Sequence, residues 1–529
     1  MSRIPIAVVL AFIPFAFGAA TLALGMDANW DLRNYHYYNA YAFLTGRENY
    51  DLLVAQVPAF FNPTIDVPFF VTAETWPARV VGFLLGTVQG LNVLPLYGVA
   101  YRTLRIEPEQ RRKWIAAALA LLGMVGAGAL SELGTTFYDN VVSLGPLTAL
   151  WLVVRRPDPI LRGTARAAAP HLLLAGFIAG IAVGLKQPAV IWAIGLCCAF
   201  LFVPAPPGRR LARAIVFGVG VLGGIGLSDG FWMLHLWRSY GNPTFPFFNQ
   251  IFRSPWALPF DYRDVFYFPD SLSARIFFPF AYLQDPHLTA EADFRDLRIL
   301  ICFVAVPLAG VSVAYRKLKG VPSSGTVAAP LESGYLLIAL ALAYLAWVIM
   351  FCIYRYLMIS EMLAPLAIVL AIALLPISGR AISATSVALL ALAVLTMKVP
   401  DWGRVPWTER WVTATPPKIE DPARTIVLIT GHEPLSYLIP TFPPAVRFLR
   451  IHGGFTGPYE PSVRFNAEMR RIVATHRGPI KALYNPNETA FARKYLADYG
   501  LAIDPTQCQT VPSNIGYLPY FFCDVTPSG

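Results

Sequence analysis

Beyond its first long apolar run, the chain carries the segment "MDANWDLRNYHYYNAYAFLTGRENYD" (26–51), dense in carboxylates, amides and tyrosines. Asp27 and Asp31 stand just past the run, Tyr35 and His36 follow, and "NPTIDVPFF" adds Asn62, Pro63 and Asp66 in a loop placed to return to them. Further along, "SELGTTFYDNVVSL" sets Glu132 and Asp139 at two helix ends, "VGLKQPAV" supplies Lys186, and "IYRYLMISEM" supplies Arg355 between Tyr354 and Tyr356. A carboxylate in reach of a hydroxyl can act as a general base. Arg and Lys hold phosphate, Arg through a fork of donors that matches its oxygens. A departing phosphate needs positive charge more than it needs a proton. Carboxylates and cations at one membrane depth are therefore the parts required for transfer from an anionic lipid.

Each residue also has a plainer reading. Tyr35, Tyr37, Tyr38 and Tyr41 fit an aromatic belt at the headgroup level. Asp139 either caps the helix it opens or belongs to the site. Lys186 either snorkels to an interface or contacts phosphate. Asp31 is harder to dismiss, because a carboxylate at the lipid boundary is costly unless solvated or partnered.

The elements that must position these residues are membrane helices. Of 529 residues, 56% are hydrophobic and 14% charged, against roughly 25% charged in a soluble domain. The net charge of +10 is no nucleic-acid footprint, since no basic face is interleaved with base-stacking aromatics. Apolar stretches near the roughly 20 residues a span needs recur at 4–25, 77–100, 114–132, 138–154, 171–186, 188–204, 212–236, 297–315, 334–353, 358–376 and 381–398, which predicts eleven helices. The first follows a single Arg3 and exceeds a signal-peptide core, so it reads as an uncleaved helix.

Arg and Lys gather in 101–113, 155–170, 205–213 and 316–319. These loops alternate correctly and belong inside, with the N-terminus, leaving 26–76, 237–296 and the tail outside. In the tail, "RTIVLI", "AVRFLRI" and "IKALYN" read as strands; "EPSVRFNAEMRRIVATHR" and "NETAFARKYLADYG" read as helices. "TGHE" (430–433) follows a strand and is read as a cap opening a helix, and His452 is a further polar residue of the tail. The expected architecture is an all-α polytopic membrane domain (1–400) with external loops 26–76 and 237–296, followed by a small extracytoplasmic α/β domain (401–529). Of six Cys, Cys508 and Cys523 are placed to pair in an oxidising exterior. Cys197, Cys198, Cys302 and Cys352 lie within spans.

The order of these motifs resembles the GT-C superfamily of polyprenol-linked glycosyltransferases, especially bacterial members related to families 39 and 87. "NWDLRNYHYYNAYAFLTGRENYD" is similar to their first external loop, "TTFYDNVVSLGPLTAL" to their second acidic loop, "AGIAVGLKQPAVI" to their Lys-bearing helix and "YRYLMISEMLAPLAIVL" to a later helix. The resemblance implies a transferase of the bacterial inner membrane. It would move a sugar from a polyprenyl-phosphate donor to a glycan, lipid or protein acceptor of the cell envelope. It implies Asp31 as base, Asp139 in support, and Lys186 and Arg355 on the lipid phosphate. Asp27, Tyr35, His36, Asp66 and Tyr356 complete the expected substrate-binding set. No cofactor is fixed. A divalent metal stays open, because loop 1 lacks the adjacent Asp-Glu or DxD that some members use.

Three rivals stand beside this reading, the first of a different class and the second also a multispan enzyme. A lipid-linked-sugar transporter or flippase would show ionisable residues in mid-span and repeat symmetry. An envelope polysaccharide polymerase or ligase would rely on Arg- and His-rich loops. A scaffold would not need Lys186 and Arg355 at matched depth. The aromatic, amide-rich loop "SYGNPTFPFFNQIFRSPWALPFDYRDVFYFPDS" suits either sugar binding or a place on lipid headgroups.

Overall fold

The structure, a computed structural model, describes residues 5–320, 327–455, 460 and 462–528; Arg3 and Ile4, where the first apolar run begins, lie outside the described residues. Two compact units divide the chain. The first comprises residues up to 23 together with 83–230 and 264–402; the second comprises 24–82, 231–263 and 403 onward.

Seven helices among the described residues are long and apolar enough to cross a membrane: Ile6–Leu24, Ala78–Thr103, Arg166–Leu185, Pro207–Ser228, Arg298–Lys319, Pro330–Met350 and Tyr354–Ala373. Gln187–Phe202 and Gly379–Leu395 are apolar but shorter. The expected spans 114–132 and 138–154 are not continuous. The first divides into Glu109–Met124 and Ala127–Ser131, and the second into Asp139–Val142 and Leu144–Arg155. Span 212–236 ends at Ser228, and a separate helix, Gly230–Tyr240, follows. Seven full-length helices thus stand where eleven were expected, and apolar runs alone did not reveal the breaks.

The break between 124 and 139 leaves backbone groups without helical partners, and in a lipid-facing bundle these must be satisfied internally. Gln89 and Asn92 do this. Gln89 Oε1 accepts from Gly134 N–H at 2.6 Å, its Nε2 donates to the carbonyls of Glu132 and Thr135, and Asn92 Nδ2 donates to the Asn140 carbonyl. A second tie holds the N-terminus of Ala127–Ser131: Asp296 accepts from Ala127 N–H at 3.1 Å, while Glu361 accepts from Gly128 and Ala129 at 3.0 and 2.9 Å. Arg298, buried beside Asp296, donates to the carbonyls of Leu122 and Val125, which have lost their helical acceptor role.

Helices Ala165–Leu185 and Pro207–Ser228 meet through small residues at four-residue spacing. A Cβ on Gly176 or Gly180 would lie 2.1 Å from the carbonyl oxygen of Phe217 or Val221, and one on Gly224 would lie 2.1 Å from that of Phe177. Such stripes let membrane helices approach closely.

The second unit is built around a six-stranded sheet. Strands Arg447–Arg450, Ile426–Ile429 and Ile480–Tyr484 run parallel in that spatial order. Tyr520–Pro527 pairs antiparallel with Ile480–Tyr484, and its far edge takes Leu501–Ile503 and Gln509–Val511. Helices Arg464–Thr475 and Thr489–Ala497 connect the strands. All three expected strands and both expected helices are present, and Cys508 is disulfide-bonded to Cys523. The tail does not form its unit alone. Leu52 pairs with Leu449 in parallel register, and Arg47 donates to both Asp51 oxygens at 2.9 and 2.8 Å and to the carbonyls of Pro444 and Val446. Asp51 in turn accepts from Phe448 N–H at 2.9 Å.

Because the glycine stripe has no room for a side chain, Gly180→Leu should cause a large loss of folded protein, read as the fraction surviving size-exclusion in detergent and as a lowered thermal midpoint. Gly226→Ala, where a Cβ meets nothing within 4 Å, should behave as wild type.

Candidate functional site

In the membrane unit, the helix Ala165–Leu185 stops at Lys186, whose backbone turns extended. Its ammonium does not snorkel. It donates to Asp139 Oδ2 at 2.6 Å and to the Phe137 carbonyl. Asp139 opens the short helix Asp139–Val142, and its carboxylate takes the Lys186 ammonium. The sequence left Asp139 between helix cap and site residue; the structure pairs it with Lys186. Tyr138, just before it, is held at a φ of 64°, a left-handed conformation that a bulky residue rarely adopts.

Arg355 lies in the turn Tyr354–Leu357. Its guanidinium sits 4.2 Å from the Phe137 ring centre and 5.8 Å from that of Trp402. The Tyr356 ring centre is 5.9 Å from Lys186 Nζ. Trp402 is fixed by its indole N–H on Ser131 Oγ at 3.1 Å and by an edge-on contact with Phe137. Asp139, Lys186, Arg355 and Tyr356, far apart in sequence, are thus gathered around Phe137.

A fourth charge completes the group. Glu132 is fully buried, both carboxylate oxygens lack a hydrogen-bond partner, and the charges that act on it are Asp139, Lys186, Arg355 and Glu361. Sequence reading noted Glu132 only as a helix end. Its signal was a carboxylate within an apolar neighbourhood, as it was for Glu361. Among the described residues, no group of three or more His, Cys, Asp or Glu side chains is arranged to hold a metal ion.

The first-loop residues belong to the other unit. Asp27 is buried and builds a turn, accepting from Asn29 N–H at 3.0 Å and from Asn29 Nδ2 at 2.8 and 2.9 Å. Asp31 is half-buried and accepts a long, 3.4 Å bond from the Tyr35 hydroxyl. The 62–66 loop does fold back: His36 Nδ1 lies 2.6 Å from Asp66 Oδ1, both side chains buried, and the Tyr35 ring packs on His36 at 4.0 Å. Arg33, beneath this turn, pairs with Glu433 and lies 4.5 Å over the Tyr517 ring.

The aromatic-belt expectation does not hold. Tyr35, Tyr37, Tyr38 and Tyr41 are all buried. Tyr37 donates to Glu74 and Tyr38 donates to Asp51 at 3.0 Å. They are packed and hydrogen-bonded inside a folded unit, because tyrosine satisfies a buried carboxylate as readily as it sits at an interface.

At the carboxyl ends of the parallel strands, Thr430 to Glu433 do not open a helix. Glu488 accepts from the N–H groups of His432 and Glu433 instead. Arg450, a buried residue, donates to the carbonyls of Gly431 and Glu433. His452 stacks on Tyr495 with ring centres 3.4 Å apart and meets His432 edge-on at 5.6 Å. Burial, then the neighbouring His432 and Arg450, hold its imidazole down to about 4, against the smaller opposing pull of Asp498.

No protein-family model, no curated protein and no solved structure matches this chain.

Two outcomes follow. Lys186→Ala strips Asp139 of its cation, and breaking one side of a buried pair costs about 3–5 kcal/mol. In a double-mutant cycle, Asp139→Asn with Lys186→Ala should cost clearly less than the two single changes added, measured by unfolding in detergent. As for pH, a His with a folded pKa below its unfolded value of about 6.5 binds its proton more readily when unfolded. Stability should therefore fall as pH drops from about 6.5 toward about 4, and thermal midpoints of His452→Gln should lose that part of the slope.

Proposed function

We propose that the chain is a GT-C-type glycosyltransferase of a bacterial inner membrane, moving a sugar from a polyprenyl-phosphate donor to a cell-envelope acceptor on the outer face. The observation that carries this reading is the Lys186–Asp139 pair with Arg355 alongside and the unpartnered Glu132 carboxylate, Lys186 and Arg355 at the ends of long apolar helices and Glu132 and Asp139 at the ends of short helices. A lipid phosphate entering there would exchange places with a carboxylate on Lys186 and meet the guanidinium fork of Arg355. The proposed topology takes the two shorter apolar helices and the two broken ones as crossings beside the seven long helices. With Arg-rich loops inside, the N-terminus is then cytoplasmic and the tail external.

In the reaction, the acceptor hydroxyl gives its proton to a carboxylate and its oxygen bonds to the anomeric carbon. The bond from that carbon to the phosphate oxygen breaks, and the electron pair leaves on the lipid phosphate, which the cations stabilise. Asp31 is the proposed base on residue chemistry: it is half-buried, whereas Asp27 and Asp51 of the same segment are buried and committed to turns and to Arg47.

A lipid-linked-sugar transporter is the second reading, favoured by Glu361, a fully buried carboxylate two turns inside a membrane helix. The hydrogen bonds it accepts from Gly128, Ala129 and Tyr354 give it a structural task instead.

With a radiolabelled polyprenyl-phosphate sugar, a transferase releases free lipid phosphate in step with acceptor labelling; a transporter releases none. Asp31→Asn should insert and fold normally, keep donor binding, and lose on the order of 10²–10⁴ of the transfer rate. Near wild-type transfer by that variant would remove Asp31 from the role.

A further inference from the structure

The second unit contains a cavity of about 380 Å³, within the range of roughly 300–1,000 Å³ typical of small-ligand sites. It is lined by segments distant in sequence: 38–63 of the first loop, Trp232, Ser239, Tyr240 and Trp256, and Arg447, Phe465 and Glu468 of the tail. All of them belong to one unit.

Its wall has two kinds of surface. Trp232, Tyr240 and Trp256 supply broad aromatic rings, fixed by their neighbours: Tyr240 stacks on Phe245 at 4.6 Å, Trp256 packs on Phe465 at 4.8 Å, and the Trp232 indole donates to the Phe60 carbonyl at 2.9 Å. Between them stand Asn39, Asn49 and Glu48. Asn39 is 5% exposed; its Nδ2 donates to the Pro58 carbonyl at 2.8 Å, and its Oδ1 has no partner. A buried amide oxygen left without a donor is costly, and a ligand hydroxyl would satisfy it. The Asn49 Oδ1 accepts from the Tyr240 hydroxyl at 3.2 Å, which turns the amide and leaves its N–H donors for another group.

Charge narrows the ligand. The lining carries Glu48, Asp51 and Glu468 against Arg447. Asp51 is neutralised by Arg47 and Glu468 by Arg471, which leaves Glu48 and Arg447, one charge of each sign, and no net charge to select an anion. Rigid aromatic rings with interspersed amides and a single charge of each sign complement a neutral ligand with apolar CH faces and hydroxyl edges.

We infer that this cavity binds a neutral oligosaccharide. As the acceptor site it deepens the transferase reading and rests on it for that role; the binding itself is read separately. The full-length chain in lipid nanodiscs is applied to an array of neutral glycans, phosphorylated and acidic glycans and unglycosylated peptides, and the best neutral glycan is then titrated calorimetrically. Wild type should retain neutral oligosaccharides in preference to the others. Trp256→Ala should weaken binding at least tenfold, and so should Asn49→Ala, whose exposed side chain leaves folding undisturbed. Gly226→Ala, outside this unit, should bind as wild type. The inference is overturned if no neutral glycan is retained, if acidic glycans or peptides bind better, or if Asn49→Ala and Trp256→Ala bind at wild-type strength. Failed sugar transfer with intact glycan binding would count against the transferase reading alone.

Discussion

A charge placed among membrane helices must find its partner inside the protein, and the first unit is organised by that constraint. Lys186 ends its helix with its ammonium on Asp139 and on the Phe137 carbonyl. The position of Phe137 then sets the ring against which Arg355 rests, and Trp402 closes on Phe137 from another side. Asp296, Arg298 and Glu361 obey the same rule nearby, spending their charge on the broken ends of two helices. The two groups differ in one respect. The second is saturated by hydrogen bonds to backbone, whereas the first includes Glu132, whose oxygens have none. A saturated group is a structural device; an unsaturated one has capacity left for a ligand.

The helix breaks between 124 and 144 are what make this grouping possible. A continuous helix would carry Glu132 and Asp139 at fixed spacing along one axis. The two short helices, with Gln89 and Asn92 holding the backbone between them, turn the chain so that Asp139 reaches Lys186, 47 residues away. In the second unit, Arg47 plays the corresponding part. By holding Asp51 and two tail carbonyls, it fixes the 50–54 segment to the sheet edge at Arg447–Arg450 and so forms one wall of the cavity.

The sequence was most legible where local pattern decides structure. The strands at 426–429, 447–450 and 480–484 and the helices at 464–475 and 489–497 follow from period and composition, and the Cys508–Cys523 bond follows from two cysteines in one tail. Short strands such as Leu501–Ile503 and Gln509–Val511 carried too few residues to show a pattern. The broken spans were hidden because hydropathy is blind to the direction of the backbone. Lys186, Arg355 and Asp139 were legible as candidates, each a charge at the end of an apolar run. Their meeting around Phe137 was not, and neither was the burial of Tyr37 and Tyr38, because both depend on contacts across long separations.

The central claim is that Lys186 and Arg355 hold a lipid phosphate. Native mass spectrometry of the purified chain with added polyprenyl phosphate tests it most directly. The account predicts one retained lipid phosphate on wild type, and occupancy at least tenfold lower on both Lys186→Ala and Arg355→Ala at equal protein folding. Equal retention by wild type and both variants would contradict it.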